Sequence, residues 1–207
     1  FSPGYSYPHI GGDATYVIIP EEVMLCGCLL PYDGDAYFYG SLTEPMSCIV
    51  GGFHANYHGK PGVYEHTMGC KPRGNMAILA GAGPMGLGCA DYAIHGGNPP
   101  RLLVITDIDE ARLARAAELT TVEDAAAHGV KLVYMNTNAV GDPVEAIRAL
   151  TDGEGFDDVF VYAPVKPVVE MGDALLARDG CLNFFAGPTN PQFSAMFRTK
   201  AVFPMEG

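Results

Sequence analysis

The chain has 207 residues, 48% of them hydrophobic and 17% charged, and a formal net charge of -12 at pH 7. This composition can fill one sizeable core and argues against a disordered chain, and the acidic balance argues against a nucleic-acid partner, whose phosphates it would repel. The six cysteines (Cys26, Cys28, Cys48, Cys70, Cys89 and Cys181) are too sparse for a secreted disulfide scaffold and read as reduced thiols of a cytoplasmic protein.

Residues 1–10 hold no basic segment followed by an apolar run, so no signal peptide is expected. No stretch reads as a membrane span, because the most apolar region is broken by Gly81, Gly83, Pro84, Gly86 and Gly88. Residues 15–19, Thr-Tyr-Val-Ile-Ile before Pro20, have strand composition. Residues 31–40 are Gly-punctuated loop. Residues 46–57 show helical apolar spacing after Glu44-Pro45, and 60–74 read as another loop.

From Asn75 the pattern becomes regular. Strands are expected at 76–80, 102–106, 132–135, 159–162 and 182–185, and helices at 85–95, 110–119, 143–150 and 167–177. Thr121-Val122-Glu123-Asp124 resembles a helix start, so a short extra helix is expected within 120–129. Strands alternating with helices of this length predict an α/β fold, a doubly wound parallel sheet with helices on both faces.

Gly81-Ala82-Gly83-Pro84-Met85-Gly86 follows an expected strand and opens an expected helix. In such a turn the first glycine permits the sharp bend, the second lets backbone approach a pyrophosphate, and the third allows close helix–strand packing. Free N–H groups and the helix dipole then favour the phosphates. Asp107 ends the next strand, 21 residues after Gly86, where a carboxylate can accept hydrogen bonds from ribose hydroxyls. The combination predicts a Rossmann-type domain binding NAD, with NADP possible. Ala163 with Pro164, and Ala186-Gly187-Pro188, end two later strands and are candidates for the same ligand, although Gly and Pro also punctuate any loop.

These residues, with Gly11-Gly12-Asp13-Ala14-Thr15-Tyr16 and Glu44-Pro45-Met46-Ser47-Cys48, resemble the medium-chain dehydrogenase/reductase superfamily of zinc-type alcohol and polyol dehydrogenases, and within it the sugar-phosphate reductases. The resemblance implies hydride transfer between NAD(P) and a secondary alcohol or ketone of a polyol, sugar or sugar phosphate. It also implies zinc in the intact enzyme and a homo-oligomer. It assigns residues 1–43 to a remnant of a GroES-like β domain with its linker, and 44–207 to the Rossmann domain. The family's catalytic Cys and Gly-His-Glu motif precede the segment matched at Gly11, so a fragment is expected, inactive alone; the alternative is a non-catalytic NAD-binding module. The ending Phe203-Pro204-Met205-Glu206-Gly207 does not look like the family's sixth strand. The strand at 182–185 is therefore expected to be an uncharged edge that makes the chain prone to associate.

Glu44 matches a glutamate that approaches the catalytic zinc in polyol-type members; it also suits a helix N-terminus by charge alone. His54 and His58, four apart on an expected helix, have metal-binding spacing but no third ligand, and packing is the favoured reading. Cys26 and Cys28 have no second pair to complete a zinc set, and Cys48 and Cys70 have no partner that would make a nucleophile.

Overall fold

A computed structural model describes residues 9–12, 14–60 and 62–197. The chain divides into two compact units, Phe1–Thr43 and Glu44–Gly207. The readings of the extreme N-terminus and of Phe203–Gly207 lie outside the described residues. Among the described residues no helix is long and apolar enough to cross a membrane.

In the first unit, residues 15–19 form no strand. Tyr16 is 91% exposed and Ile18 65% exposed, and Ile18 N donates to His9 O at 3.3 Å. A strand is completed by a neighbour's ladder, so β-branched composition without one does not make it. The unit instead carries two short helices, α1 (Glu21–Leu25) and α2 (Tyr37–Gly40), the latter inside the expected loop; neither buries a residue.

The second unit begins one residue into α3 (Thr43–Ala55). The expected loop after it is a hairpin of β1 (Tyr57–Lys60) and β2 (Val63–Met68), antiparallel, with Tyr57 opposite Met68. Gly62, at φ +79°, turns the chain between them. Gly62 thus belongs to the connection between two strands rather than to the middle of a loop. His54 lies on α3 and His58 on β1, so the two do not share a helix face.

Then follow β3 (Asn75–Leu79), α4 (Pro84–His95), β4 (Leu102–Asp107), α5 (Glu110–Leu119), α6 (Val122–Ala127), β5 (Lys131–Asn136), α7 (Pro143–Ala149), β6 (Phe156–Val161), α8 (Lys166–Leu175) and β7 (Leu176–Asn183). The sheet is parallel in the order β5-β4-β3-β6-β7, the doubly wound arrangement expected. Both faces are buried. Ile78, Leu103 and Ile105 pack with Ile49, Phe53, Ala90, Ile94 and Phe160 on one side. Ala77, Leu79, Leu102 and Val104 pack with Ile147, Val169 and Leu175 on the other. Alternate residues of β3 and β4 serve opposite faces, which is why these strands read as continuous apolar runs.

The helix starts are side-chain capped where the sequence offered a cap. Asp109 accepts from Ala111 N and Arg112 N, Thr121 from Asp124 N, and Asp142 from Glu145 N. The extra helix α6 therefore exists, and Ala125 anchors it in the core.

The last strand is displaced. It begins at Leu176 directly after α8, not at Leu182. Phe156 pairs with Leu176 and Asp158 with Cys181, so residues between them bulge out, with Asp179 at φ +65°. The edge strand consequently contains Arg178 and Asp179, contrary to the expected uncharged edge, while Phe184 and Phe185 lie beyond it.

One buried carboxylate joins these parts. Asp158 on β6, 1% exposed, accepts from Asn56 Nδ2 at 2.7 Å and Lys71 N at 2.8 Å, and lies 3.0 Å from His58 Nε2. His58 Nδ1 in turn lies 3.1 Å from Asp179 O. This is the packing role favoured for His58. Asp158→Ala would strand buried donors from three segments and is expected to cost about 3–5 kcal/mol in chemical denaturation. A loss under about 1 kcal/mol would show that the network contributes little.

Candidate nucleotide site

Strand order reverses at β3: the chain runs outward through β4 and β5, then returns to β6 on the other side. In open α/β sheets such a switch point leaves a crevice beyond the carboxyl ends of the strands. A cavity of about 980 Å³ lies there, lined by Gly83, Pro84, Met85 and Gly86 after β3, Asp107 at the end of β4, Arg112 beyond it, Asn138 after β5, and Ala163 after β6.

Each glycine of the turn has a different reason. A Cβ on Gly81 would meet Ile78 Cγ2 at 2.4 Å, and one on Gly86 would meet the Gly81 carbonyl oxygen at 2.2 Å. These two allow the bend and the close approach of α4 to the turn. A Cβ on Gly83 would meet nothing within 4 Å. Packing does not require glycine at 83, and the space beside it belongs to the cavity. Gly83 is also the N-cap of α4, in extended conformation, with Pro84 in the first turn. The turn is tied down by Gly81 N donating to Thr106 O at 2.8 Å, and it is preceded by Ala80 in the left-handed region at φ +51°, a conformation that costs a non-glycine residue free energy.

Asp107 is buried, at 7% exposure. Its Oδ2 accepts from Ala82 N at 3.2 Å and its Oδ1 from Ile108 N at 2.8 Å and Asp109 N at 3.2 Å. The carboxylate is thus held in place by backbone donors of the turn and of its own loop. Arg112 stands on the first turn of α5 with its Nε 3.8 Å from Asp109 Oδ2.

Of the residues read from the sequence, Gly83, Pro84, Met85, Gly86, Asp107 and Ala163 line one cavity. Gly81 lies beneath the turn and does not line it. Gly187, at φ +51°, is one residue past the lining residue Ala186. Sequence reasoning missed Thr137 and Asn138, which the rule of strand carboxyl ends could have supplied, and Tyr162 and Phe185, whose rings lie 4.7 Å apart. The Tyr162 hydroxyl is buried without a hydrogen-bond partner among the described residues. Burial, with Cys89 beside it, raises its pKa above the ordinary tyrosine value. Cys89 itself is fully buried in the core cluster, the place of a packed thiol, and burial pushes its pKa up to about 12.

Glu44 is elsewhere, exposed in the first turn of α3, where Cys48 Sγ donates to its Oε1 at 3.1 Å. That hydrogen bond, with lesser desolvation, raises the Cys48 pKa. Zinc needs three or four donors around it. Among the described residues the one group of three possible metal donors is His95, Asp124 and His128, without Glu44. The described residues therefore do not make a zinc site around Glu44.

A family model described as "Zinc-binding dehydrogenase" matches residues 84–204. The chain is 56% identical over 197 residues to mannitol-1-phosphate 5-dehydrogenase of Aliivibrio fischeri, covering 95% of this chain and 47% of that protein. It is 48% identical over 193 residues to L-sorbose 1-phosphate reductase of Klebsiella pneumoniae, covering 93% and 46%. The chain thus spans about half the length of the curated relatives it matches. A solved structure of ECK1772, an oxidoreductase/dehydrogenase of unknown specificity from Escherichia coli, shares the fold with a TM-score of 0.55 at 24% identity, over 82% of this chain and 40% of that one. With the glycine-rich turn and the parallel sheet in place, the match over more than half of its residues shows that this chain belongs to the zinc-binding dehydrogenase family, within the medium-chain dehydrogenase/reductase superfamily.

Proposed function

We propose that this chain is the nucleotide-binding half of an NAD-dependent oxidoreductase. In the intact protein it would transfer hydride between nicotinamide and a secondary alcohol or ketone of a polyol, sugar or sugar phosphate. The observation that carries the reading is Gly83: it caps α4, borders a cavity at the switch point, and has no packing reason to be glycine. The first-turn N–H groups of α4 would receive the pyrophosphate, Asp107 the adenosine ribose, and the turns at Ala163 and Gly187 the nicotinamide end. NAD, when bound, supplies the hydride acceptor or donor. The chain's own residues bind and orient it, and the apolar Val144, Val165 and Met171 in the lining would keep water from it. The substrate class is supported by the names of the two sugar-phosphate relatives. The six free thiols suit a reducing compartment, the cytoplasm. Zinc, with Glu44 as a candidate ligand, and assembly as a homo-oligomer belong to the intact protein. For the chain as it stands, a non-catalytic NAD-binding module is the second reading, favoured by the lack, among the described residues, of a third donor beside Glu44 and Cys48.

Isothermal titration tests the first reading. A 2′-phosphate would be brought against the Asp107 carboxylate, so NAD is expected to bind at least about tenfold more tightly than NADP, a difference of about 1.4 kcal/mol. Tighter NADP binding would mean that Arg112 turns toward the phosphate and outweighs Asp107; failure to bind either would overturn the site. An assay of polyols and sugar phosphates with zinc and NAD separates the two readings. Turnover is expected from the intact protein and none from this chain, and an intact protein that binds NAD without turnover would favour the module.

A further inference from the structure

The far end of α4 carries a second constellation. His95 closes that helix, and Asp124 and His128 stand four residues apart on α6 and its C-cap. Docking of Ala125 and Ile94 in one core cluster brings the two helix ends together. His95 Nε2 lies 2.9 Å from Asp124 Oδ2, His128 Nδ1 lies 3.9 Å from Asp124 Oδ1, and the two imidazole rings meet edge to face with centroids 4.7 Å apart. One donor atom from each of the three residues lies within 4.8 Å of the other two.

We propose that His95, Asp124 and His128 form a binding site for a divalent transition ion of the zinc class, which clips the end of α4 to α6. Three features support it. Two imidazoles and one carboxylate are the donor set that zinc and its neighbours accept, with a fourth position left for water. His95 has its other nitrogen, Nδ1, 3.1 Å from both the carbonyl and the carboxylate oxygen of Asp91, the outer contact that orients a ligating histidine and leaves Nε2 for the ion. The three side chains are 39–45% exposed, so an ion can reach them. They can also close the remaining distance: bonds of about 2.0–2.1 Å set tetrahedral donors about 3.4 Å apart.

The site is not the reaction's Lewis acid. The helix separates it from the phosphate turn by 12 residues, about 18 Å at 1.5 Å per residue. Bound metal would stabilise the folded chain by linkage and leave the cavity untouched. Metal binding at this end of α4 does not depend on NAD binding in the cavity.

The test is zinc titration of the full chain after alkylation of its accessible thiols, in parallel for the parent, His95→Gln and His128→Gln, with the histidine ring resonances of the parent followed by NMR. One zinc per chain is expected. It should move the His95 and His128 resonances and not that of buried His58, and raise Tm. Either substitution should lower the affinity at least about tenfold and remove the rise in Tm, while circular dichroism stays that of the parent. Parent His95 and His128 resonances that ignore zinc, or variants that bind it as tightly as the parent, would overturn the proposal. The NMR readout on the parent decides the matter even if a variant misfolds.

Discussion

Gly83→Val should lose at least about 100-fold in affinity for NAD, about 2.7 kcal/mol, while unfolding like the parent. Gly83 has ordinary extended dihedrals, φ -87° and ψ 174°, which valine adopts without strain. The added Cβ meets nothing within 4 Å, so the folded chain loses little. The two methyl groups would stand in the cavity in front of the α4 N-terminus, where the pyrophosphate must approach backbone N–H groups directly. Isothermal titration gives the binding loss and chemical denaturation the stability. Parent-like binding by Gly83→Val would refute the phosphate turn. Loss of both binding and stability would show that residue 83 has a packing role the structure does not reveal.

Gly86→Ala should do the opposite kind of damage, destabilising the chain by about 3 kcal/mol or more, at the upper end of overpacking costs. Helix propensity alone predicts the other sign, since alanine within a helix is favoured over glycine by about 1 kcal/mol. Geometry decides against propensity here. The new Cβ would lie 2.2 Å from the Gly81 carbonyl oxygen and 2.5 Å from Gly81 Cα. Both are backbone atoms of a turn held by Gly81 N to Thr106 O and Ala82 N to Asp107 Oδ2, so neither can rotate aside as a side chain would. Relief requires moving α4 off the sheet, which disturbs Ala90, Ala93 and Ile94 in the core. Denaturant unfolding measures the cost, and an alanine variant as stable as the parent would mean that the helix stands farther from the turn than described. The two variants, three residues apart, would thus separate a ligand's requirement from a fold's.

How far the sequence reaches differs from element to element. Strands β3, β4, β5 and β6 and the helices beside them were legible because each is buried by its own local pattern: apolar runs for strands covered on both faces, and Asp109, Thr121 and Asp142 placed to cap helices. The displaced β7 and the hairpin at β1 and β2 were not. Leu176 pairs with Phe156 only because a bulge at Asp179 absorbs the mismatch, and the hairpin exists because residue 57 finds residue 68. Residues 15–19 failed in the converse way, having strand composition without a ladder among the described residues.

By itself the sequence determined the alternation of strands and helices and the glycine-rich turn that opens α4. Burial periodicity, capping and a glycine's freedom are properties of a few consecutive residues. Only the tertiary structure decided that Gly83, Asp107, Asn138 and Ala163 face one cavity, that His58 serves Asp158 rather than a metal, and that His95 meets Asp124 and His128. Each of these depends on the order in which parallel strands are laid side by side. That order is set by packing across the whole sheet, and no local run of residues encodes it.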